Sequence, residues 1–318
     1  MKSFIKNPRI TWILGAVLFG LIVPAHAESP ATPPVDPRMH PGEARILNLD
    51  PKNYKEVVPG KVYMRHWFGT DASVAMFRIL PASGTDDAVR PPLHSHGTEL
   101  GVQLKGNGTM FDESGRSYPL REGDVMLVRA GVKHTGEFGD SENVILSIVT
   151  PARPEYPPED GTAYFPGNGA PASTPAPSLP GDQGPPVRIL FNLNTIANQM
   201  TEIIPGQLYF KHWHGDDVSI GAFRMVRNEN GHFPGKINMH GEEISFVAKG
   251  SLSMEIGGKP YHVDEGEVLV IPPFTPHVGT CDTDECLLLS WFTPNRIGEW
   301  GPENNTKPEF SFLEKAGA

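Results

Sequence analysis

The sequence predicts an all-β protein built from two tandem antiparallel β-barrels of the jelly-roll, or double-stranded β-helix, type. Glycine and proline are frequent, at 34 and 33 residues, and no long segment has the apolar period of an amphipathic helix. Apolar residues instead form short runs between turns, as at 125–128 and 268–271. An internal repeat then indicates that one such barrel is followed by a second.

The repeat is clearest where residues 57–67 align with residues 203–213. Each segment contains an apolar pair, Pro-Gly, five further residues and His-Trp. A chain of 318 residues is also long enough for two domains that each bury a core. We therefore expect domain 1 at residues 45–152 and domain 2 at residues 187–300.

The amino terminus has the composition of a secretory signal peptide. A basic start is followed by an apolar run from Ile10 to Val23 and by Ala-His-Ala before Glu28. An uncleaved membrane anchor is the alternative, but the run is shorter than the roughly 20 residues that cross a bilayer. We expect residues 1–27 to be removed, and the mature protein to be periplasmic or extracellular without stable membrane insertion.

Three further segments are expected to lie outside the barrels: a proline-rich arm at 28–44, a semi-rigid Pro/Gly-rich linker at 153–186 and a C-terminal tail at 301–318. Cleavage after residue 27 removes three basic residues and no acidic ones, so the formal net charge changes from −10 to −13. Nucleic acid is not an expected partner, because its binding relies on neutralisation of phosphates by Lys and Arg.

Domain 1 contains a set of side chains typical of a divalent-metal site. His94 and His96 are two residues apart, so on a strand both project from one face. Glu99 follows after a bend at Gly97, and a second hairpin is expected to bring His134 across from the opposite wall. These ligands suit divalent Fe, Mn, Ni, Cu or Zn, and ligand type alone does not select among them. The alternative is a set of unconnected core or surface histidines.

The pattern resembles the two sequence motifs of the cupin superfamily. The histidine pair, Glu99 and Gly106 match the first motif, although its leading glycine is absent and only two residues separate the histidines from the glutamate. Gly123 and His134 match the second motif, in which Arg129 stands where the family usually has proline. The resemblance implies cupin-type barrels, a divalent metal in each active barrel and a small-molecule substrate, and it is compatible with an oligomer.

The ligand set recurs in domain 2 with one change, which makes the chain a bicupin by this resemblance. The matching residues are Asn238, His240, Glu243 and His277. Glu242 is a rival to Glu243, but the spacing to the following glycine selects Glu243. An amide oxygen is a weaker ligand than imidazole. Domain 2 is therefore expected to bind metal more weakly, to bind substrate without metal, or to be structural.

Domain 1 is expected to carry the activity, with Glu99 and His134 as catalytic residues. Four protein ligands leave room on the metal for substrate or dioxygen. The resemblance to exported two-cupin oxidoreductases implies a dioxygenase-type oxidoreductase for a small oxygen-rich molecule. The alternatives are an isomerase or lyase for sugar-acid-like substrates, and a non-catalytic small-molecule or metal-binding protein. Gln103, which matches Val247, is expected to line the substrate pocket of domain 1 and to distinguish the two sites.

Two other features have expected structural roles. Cys281 and Cys286 flank four residues that are expected to form the turn of a hairpin. In an exported protein, two thiols in this arrangement favour a disulfide; free thiols or a further metal site are the alternatives. The repeated His66 and His212 are expected to be structural, because strand alternation puts His66 among apolar neighbours.

Overall fold

The structure is a computed structural model that describes residues 43–81, 90–138, 141–153, 156, 185–229, 231, 233, 235–306 and 308. All of them belong to one compact unit that spans Asp36–Ala318. The predicted signal peptide, nearly all of the arm at 28–44, most of the linker at 153–186 and the end of the tail lie outside the described residues. No helix in the described ranges is long and apolar enough to cross a membrane.

Strands dominate the first half of the chain. In chain order they are β1 Arg45–Leu47, β2 Lys55–Val58, β3 Val62–Phe68, β4 Ser73–Ile79, β5 Thr98–Lys105, β6 Gly108–Asp112, β7 Ser117–Leu120, β8 Asp124–Val128, β9 His134–Glu137 and β10 Asn143–Thr150. A 3-10 turn at Pro51–Asn53 is capped by Asp50, whose carboxylate accepts a hydrogen bond from the Lys52 N–H.

The second half repeats this order. Its strands are β11 Val187–Asn192, β12 Thr201–Ile204, β13 Leu208–His214, β14 Ser219–Val226, β15 Glu242–Lys249, β16 Leu252–Ile256, β17 Lys259–Val263, β18 Val268–Ile271, β19 His277–Cys281 and β20 Glu285–Thr293. A 3-10 turn at Ile196–Gln199 and the short helix α1, Ile297–Trp300, complete the described elements.

Each half forms a barrel from one large and one small antiparallel sheet. Sheet 1 has seven strands in the order β11-β8-β5-β10-β4-β3-β2, and sheet 2 has seven in the order β1-β18-β15-β20-β14-β13-β12. The three-stranded sheets β7-β6-β9 and β17-β16-β19 form the opposite walls. The predicted all-β fold with tandem jelly-roll barrels is confirmed.

The two halves exchange their first strands. Strand β1 pairs with β18 of the second half, and β11 pairs with β8 of the first half. The sequence repeat predicts two barrels, but it does not say which sheet either of these strands joins. The boundaries of the two domains stay predictions. Each large sheet contains one strand from the other predicted domain.

A shared apolar core joins the two large sheets. It contains Val74 and Leu146 from sheet 1 together with Ile220 and Leu289 from sheet 2. Alternate residues of each strand point the other way, into the barrel, as Phe77 does in β4. One face of each large sheet therefore holds the halves together, and the other face is free to build a cavity.

Cys281 and Cys286 form the predicted disulfide, with Cα atoms 5.9 Å apart. The expected hairpin around it is wrong. Strand β19 pairs with β16 in the small sheet, whereas β20 pairs with β14 and β15 in sheet 2. The intervening residues pass from one wall of the barrel to the other, so the disulfide links two sheets.

Candidate metal centres

The predicted ligands of domain 1 converge inside its barrel. A single antiparallel bridge joins His94 to His134, with N–H to carbonyl distances of 3.1 and 2.9 Å. The ring centres of His94, His96 and His134 lie 4.7 to 5.5 Å apart. The carboxylate Oε2 of Glu99 is 3.3 Å from Nε2 of both His96 and His134. The sequence therefore identified side chains that the fold brings together.

The backbone around the first two histidines differs from the expected strand. His94 has only its isolated bridge, and His96 lies outside the strands. The preceding Pro91 and Pro92 lack the N–H groups that a ladder needs. Gly97 then passes so close to the carbonyl of Thr150 that a side chain there would overlap it. A glycine at this point lets the chain enter β5 with Glu99 facing the cavity.

Hydrogen bonds fix which nitrogen of each histidine faces the centre. Nδ1 of His94, His96 and His134 lies 2.9 to 3.0 Å from the carbonyls of Pro92, Gly97 and Val132 respectively. A carbonyl can only accept, so each Nδ1 carries a proton, and Nε2 is the nitrogen that a metal would bind in place of a proton. This is the tautomer that binds a metal through Nε2.

The charges of the site also suit a cation. Burial, followed by the neighbouring His134 and His96, lowers the pKa of His94 to about 3, so this ring is neutral at pH 7. Burial alone would raise the pKa of Glu99, but the adjacent His96 and His134 outweigh it and hold the pKa well below its usual range. The Ser147 hydroxyl donates to Oε1 of Glu99 at 2.5 Å and leaves Oε2 facing the histidines.

Domain 2 repeats this arrangement with three ligands. Nε2 of His240 and His277 lies 3.1 and 3.4 Å from Oε2 of Glu243. Their Nδ1 atoms face the carbonyls of Gly241 and Thr275. Nε2 of His240 is buried and has no hydrogen bond of acceptable geometry. Donor atoms that converge without bonding one another are what a metal would satisfy, so the residues fit a divalent ion.

Asn238 occupies the place of His94. Its backbone bridges His277 in the same way, and its side chain lines the cavity. However, its Oδ1 already accepts the N–H of Met239 at 3.0 Å. Two histidines and one carboxylate therefore remain as the clear ligand set of domain 2, a set that leaves more open positions on a metal than that of domain 1.

The second carboxylate, Glu242, points away from this site. Successive strand residues face opposite sides, and Glu242 reaches the loop of the first half, where it accepts the N–H groups of Thr70, Asp71 and Ala72. Burial raises its pKa to about 7, despite these hydrogen bonds.

The four ligands of domain 1 line a cavity of about 90 Å³, and Glu243 and His277 of domain 2 line one of about 130 Å³; both cavities have mostly apolar walls. Either space holds several water molecules or a small organic molecule. The walls of the domain 1 cavity include Phe77, Ile79, Met110, Leu120, Met126, Phe138 and Ile145.

A buried arginine lines each cavity, and the sequence reasoning did not assign either to a site. They are Arg153 in domain 1 and Arg296 in domain 2, which are 5 % and 7 % exposed. The available signal was the repeated Thr-Pro-x-Arg that ends each barrel. A guanidinium beside metal ligands favours an anionic ligand.

Gln103 lies on the same face of β5 as Glu99 but outside the cavity lining. Its amide donates to the Lys105 carbonyl and to Oδ1 of Asn143.

His66 packs against the rings of Phe68 and Tyr156, in agreement with a structural role.

Two family profiles match the chain, one in each half. The profile described as a cupin domain matches residues 228–292, and the profile described as an AraC-like ligand binding domain matches residues 76–156. No curated protein sequence matches the chain at a significant level.

Solved structures share the fold over most of the chain. A cupin 2 conserved barrel domain protein from Leptotrichia buccalis is 14% identical, with a TM-score of 0.51, and the match covers 80% of this chain and 97% of that chain. Procruciferin, an 11S globulin from Brassica napus, is 13% identical with a TM-score of 0.53, covering 80% and 85%. A variant of oxalate decarboxylase from Bacillus subtilis is 14% identical with a TM-score of 0.51, covering 81% and 80%.

These identities show a shared fold and carry no information about substrate. The repeated ligand sets, the duplicated barrel and the two profile matches agree with one another. The chain belongs to the cupin superfamily and contains two cupin domains.

Proposed function

We propose that the chain is an exported, metal-dependent enzyme for a small, acidic, oxygen-containing molecule, and that it is a dioxygenase-type oxidoreductase with its active metal in domain 1. The observation that carries the proposal is Arg153, which is buried in the same cavity as the ligands His94, His96, Glu99 and His134. A buried guanidinium beside open metal positions suits a substrate that has a carboxylate or an enolate near a metal-binding oxygen.

The cavity walls favour an oxygenase over a sugar-acid isomerase. Apart from Arg153 and the ligands, the polar side chain in the lining is Ser147, whose hydroxyl already donates a hydrogen bond to Glu99. A sugar acid would lose the hydration of several hydroxyl groups in this space without gaining hydrogen bonds. A substrate with an apolar body, and the apolar dioxygen molecule, lose little on entering it.

The residues have distinct roles in this proposal. The three histidines and Glu99 would hold the metal, which when bound supplies an electrophilic, redox-active centre. Arg153 binds and orients the substrate anion, and Ser147 keeps Oε2 of Glu99 directed at the metal. The apolar walls exclude bulk water. Both atoms of dioxygen enter the product, so the substrate supplies the electrons and no separate reductant is needed.

Export remains part of the proposal. The disulfide between Cys281 and Cys286 supports it, because disulfides persist mainly in oxidising compartments. The composition of residues 1–27 points the same way. A divalent metal would then be acquired or retained outside the cytoplasm.

The test combines metal analysis with oxygen uptake. Protein purified from the exported compartment is assayed with aromatic and aliphatic hydroxy acids, catechols, flavonols, oxalate and unsaturated uronates. We expect iron, manganese or copper, and turnover that consumes dioxygen and places label from ¹⁸O₂ in the product. Arg153→Gln should raise KM by about 10- to 100-fold, the loss typical of a charged hydrogen bond, whereas the exposed Arg121→Gln should not.

Other outcomes would reject the oxidoreductase. Turnover without dioxygen, with zinc or nickel bound, would favour an isomerase or lyase. Tight small-molecule binding with no turnover by metal-loaded protein would identify a binding protein.

A further inference from the structure

The domain 2 cavity contains a cationic group that its own ligand set does not explain. Nη2 of Arg296 donates to Oε2 of Glu299, but its Nε is buried and has no hydrogen-bond partner among the described residues. The guanidinium carbon lies 5.2 Å from the ring centres of both Phe292 and Trp300. These rings hold the guanidinium in place. An unpaired, buried donor of this kind is costly unless a ligand accepts from it.

The rest of the lining sets the chemistry of such a ligand. Lys236 adds a second cation and Asn238 an amide. Most other lining side chains are apolar, including Leu208, Phe223, Met225, Phe233, Leu252, Met254, Leu288, Phe292 and Trp300. The lining thus carries two cations, Arg296 and Lys236, against one carboxylate, Glu243, and is otherwise mostly hydrophobic, which suits a molecule with one anionic group and an apolar body.

Four exposed apolar side chains lie close in sequence to residues of this site. Ile237, Met239, Phe274 and Ile297 are each more than half exposed. The first two flank Asn238 in the chain, and Ile297 follows Arg296. The N–H of Phe274 bonds the carbonyl of His240, and Phe274 has a φ of 56°, which is unusual for a bulky residue.

We propose that domain 2 is a second binding site, for an amphipathic monocarboxylate whose anionic group meets Arg296 and Lys236 and whose apolar part contacts the cavity wall. Domain 1 differs from it, since Leu93 is the large exposed apolar residue among the described residues next to its ligands. This site is separate from the reaction proposed for domain 1, and its test does not depend on turnover.

The probe is octanoate, titrated by calorimetry into the protein as purified. Octanoate should bind, whereas 1-octanol, which lacks the charge, and acetate, which lacks the chain, should each bind at least tenfold more weakly. Arg296→Gln should weaken octanoate binding by about 10- to 100-fold, since it removes a charged hydrogen bond. The exposed Lys259→Gln is the matched control and should leave the affinity unchanged.

Several results would overturn the proposal: no octanoate binding at millimolar concentration, equal affinity for octanoate and 1-octanol, or an affinity that Arg296→Gln does not change. Loss of binding in Arg153→Gln but not in Arg296→Gln would place the ligand in domain 1 and reject the domain 2 site. If Arg296→Gln does not fold, the half-buried Lys236→Gln decides, with at least a threefold loss expected and an unchanged affinity contradicting the site.

Discussion

At the scale of single residues, the ligand atoms that face away from the metal position make hydrogen bonds that orient the ligands. In domain 1 each histidine Nδ1 already donates to a backbone carbonyl, and Oε1 of Glu99 accepts from Ser147. The remaining donor atoms are thus oriented before any ion arrives. Such outer contacts commonly change metal affinity by about 10- to 100-fold when they are lost.

The first prediction concerns metal occupancy of domain 1. His94→Ala, His96→Ala and His134→Ala should each remove most of the metal from this site while the fold persists, because each deletes one oriented ligand. Metal per chain is measured by mass spectrometry of the elements, with the surface His262→Ala as control. Wild-type metal content in all three variants would show that the site is wrongly assigned.

Substitution of the metal ligands should affect turnover differently in the two domains. Glu99→Ala and His134→Ala should abolish activity, whereas His240→Ala and His277→Ala should reduce it modestly or not at all. Equal losses in both pairs would contradict an active metal confined to domain 1.

The ligands could be predicted from sequence because metal binding imposes both residue type and spacing on a short segment. The repeated Thr-Pro-x-Arg marks the two arginines but does not assign them to a site, since Arg153 and Arg296 come after the last strand of each barrel and reach the cavity only through the fold. Gln103 illustrates the opposite difficulty. Its match to Val247 on the strand that contains Glu99 predicted a place in the pocket, but depth within the barrel depends on packing that no local pattern contains.

At the scale of elements, strand β15 performs two tasks with adjacent residues. Glu243 faces the metal ligands, and Glu242 crosses to the loop between β3 and β4 of the other half. The loop of the second half reaches back in a corresponding way, since Thr98 donates to Oδ1 of Asp217. The two ligand-bearing strands are therefore each tied to the opposite domain.

The second prediction tests this connection. Glu242→Gln should lower the free energy of unfolding by about 1–3 kcal/mol. In the wild type both oxygens of the carboxylate accept backbone N–H groups; in the variant one of these oxygens is replaced by an NH₂ group, which cannot accept a hydrogen bond. Urea denaturation measures the change. The exposed Glu255→Gln is the matched control, and an equal effect of the two substitutions would show that the contact with the loop does not stabilise the fold.

The disulfide acts at the same scale, since it joins β19 in a small sheet to the start of β20 in a large one. Replacement of both Cys281 and Cys286 by alanine should cost about 2 kcal/mol on the chain-entropy model for so short a ring. Denaturation of both forms measures this loss.

In unreduced mature protein, mass spectrometry should find a chain that begins at Glu28 and is two hydrogens lighter than the dithiol. Free thiols after oxidative isolation would contradict the disulfide.

At the scale of the whole molecule, the two barrels share structure instead of standing side by side. Each large sheet includes a strand from the other half, and one apolar core contains Val74, Leu146, Ile220 and Leu289 from both sheets. The sequence repeat predicted two barrels, because each half has its own strands and turns. It could not predict the exchange, because pairing between distant strands depends on where the chain travels between them.

The last prediction follows from this exchange. A fragment of residues 43–156 would lack β11, leaving β8 as an unpaired edge, and would expose the apolar face of sheet 1 that now packs on sheet 2. Exposed edges and apolar faces promote association. We therefore expect this fragment, and the fragment 185–306, to aggregate or to unfold without cooperativity when produced alone, and to recover a soluble complex when produced together. Circular dichroism and sedimentation measure both properties. A soluble, monomeric fragment 43–156 with cooperative unfolding would show that the shared core is dispensable.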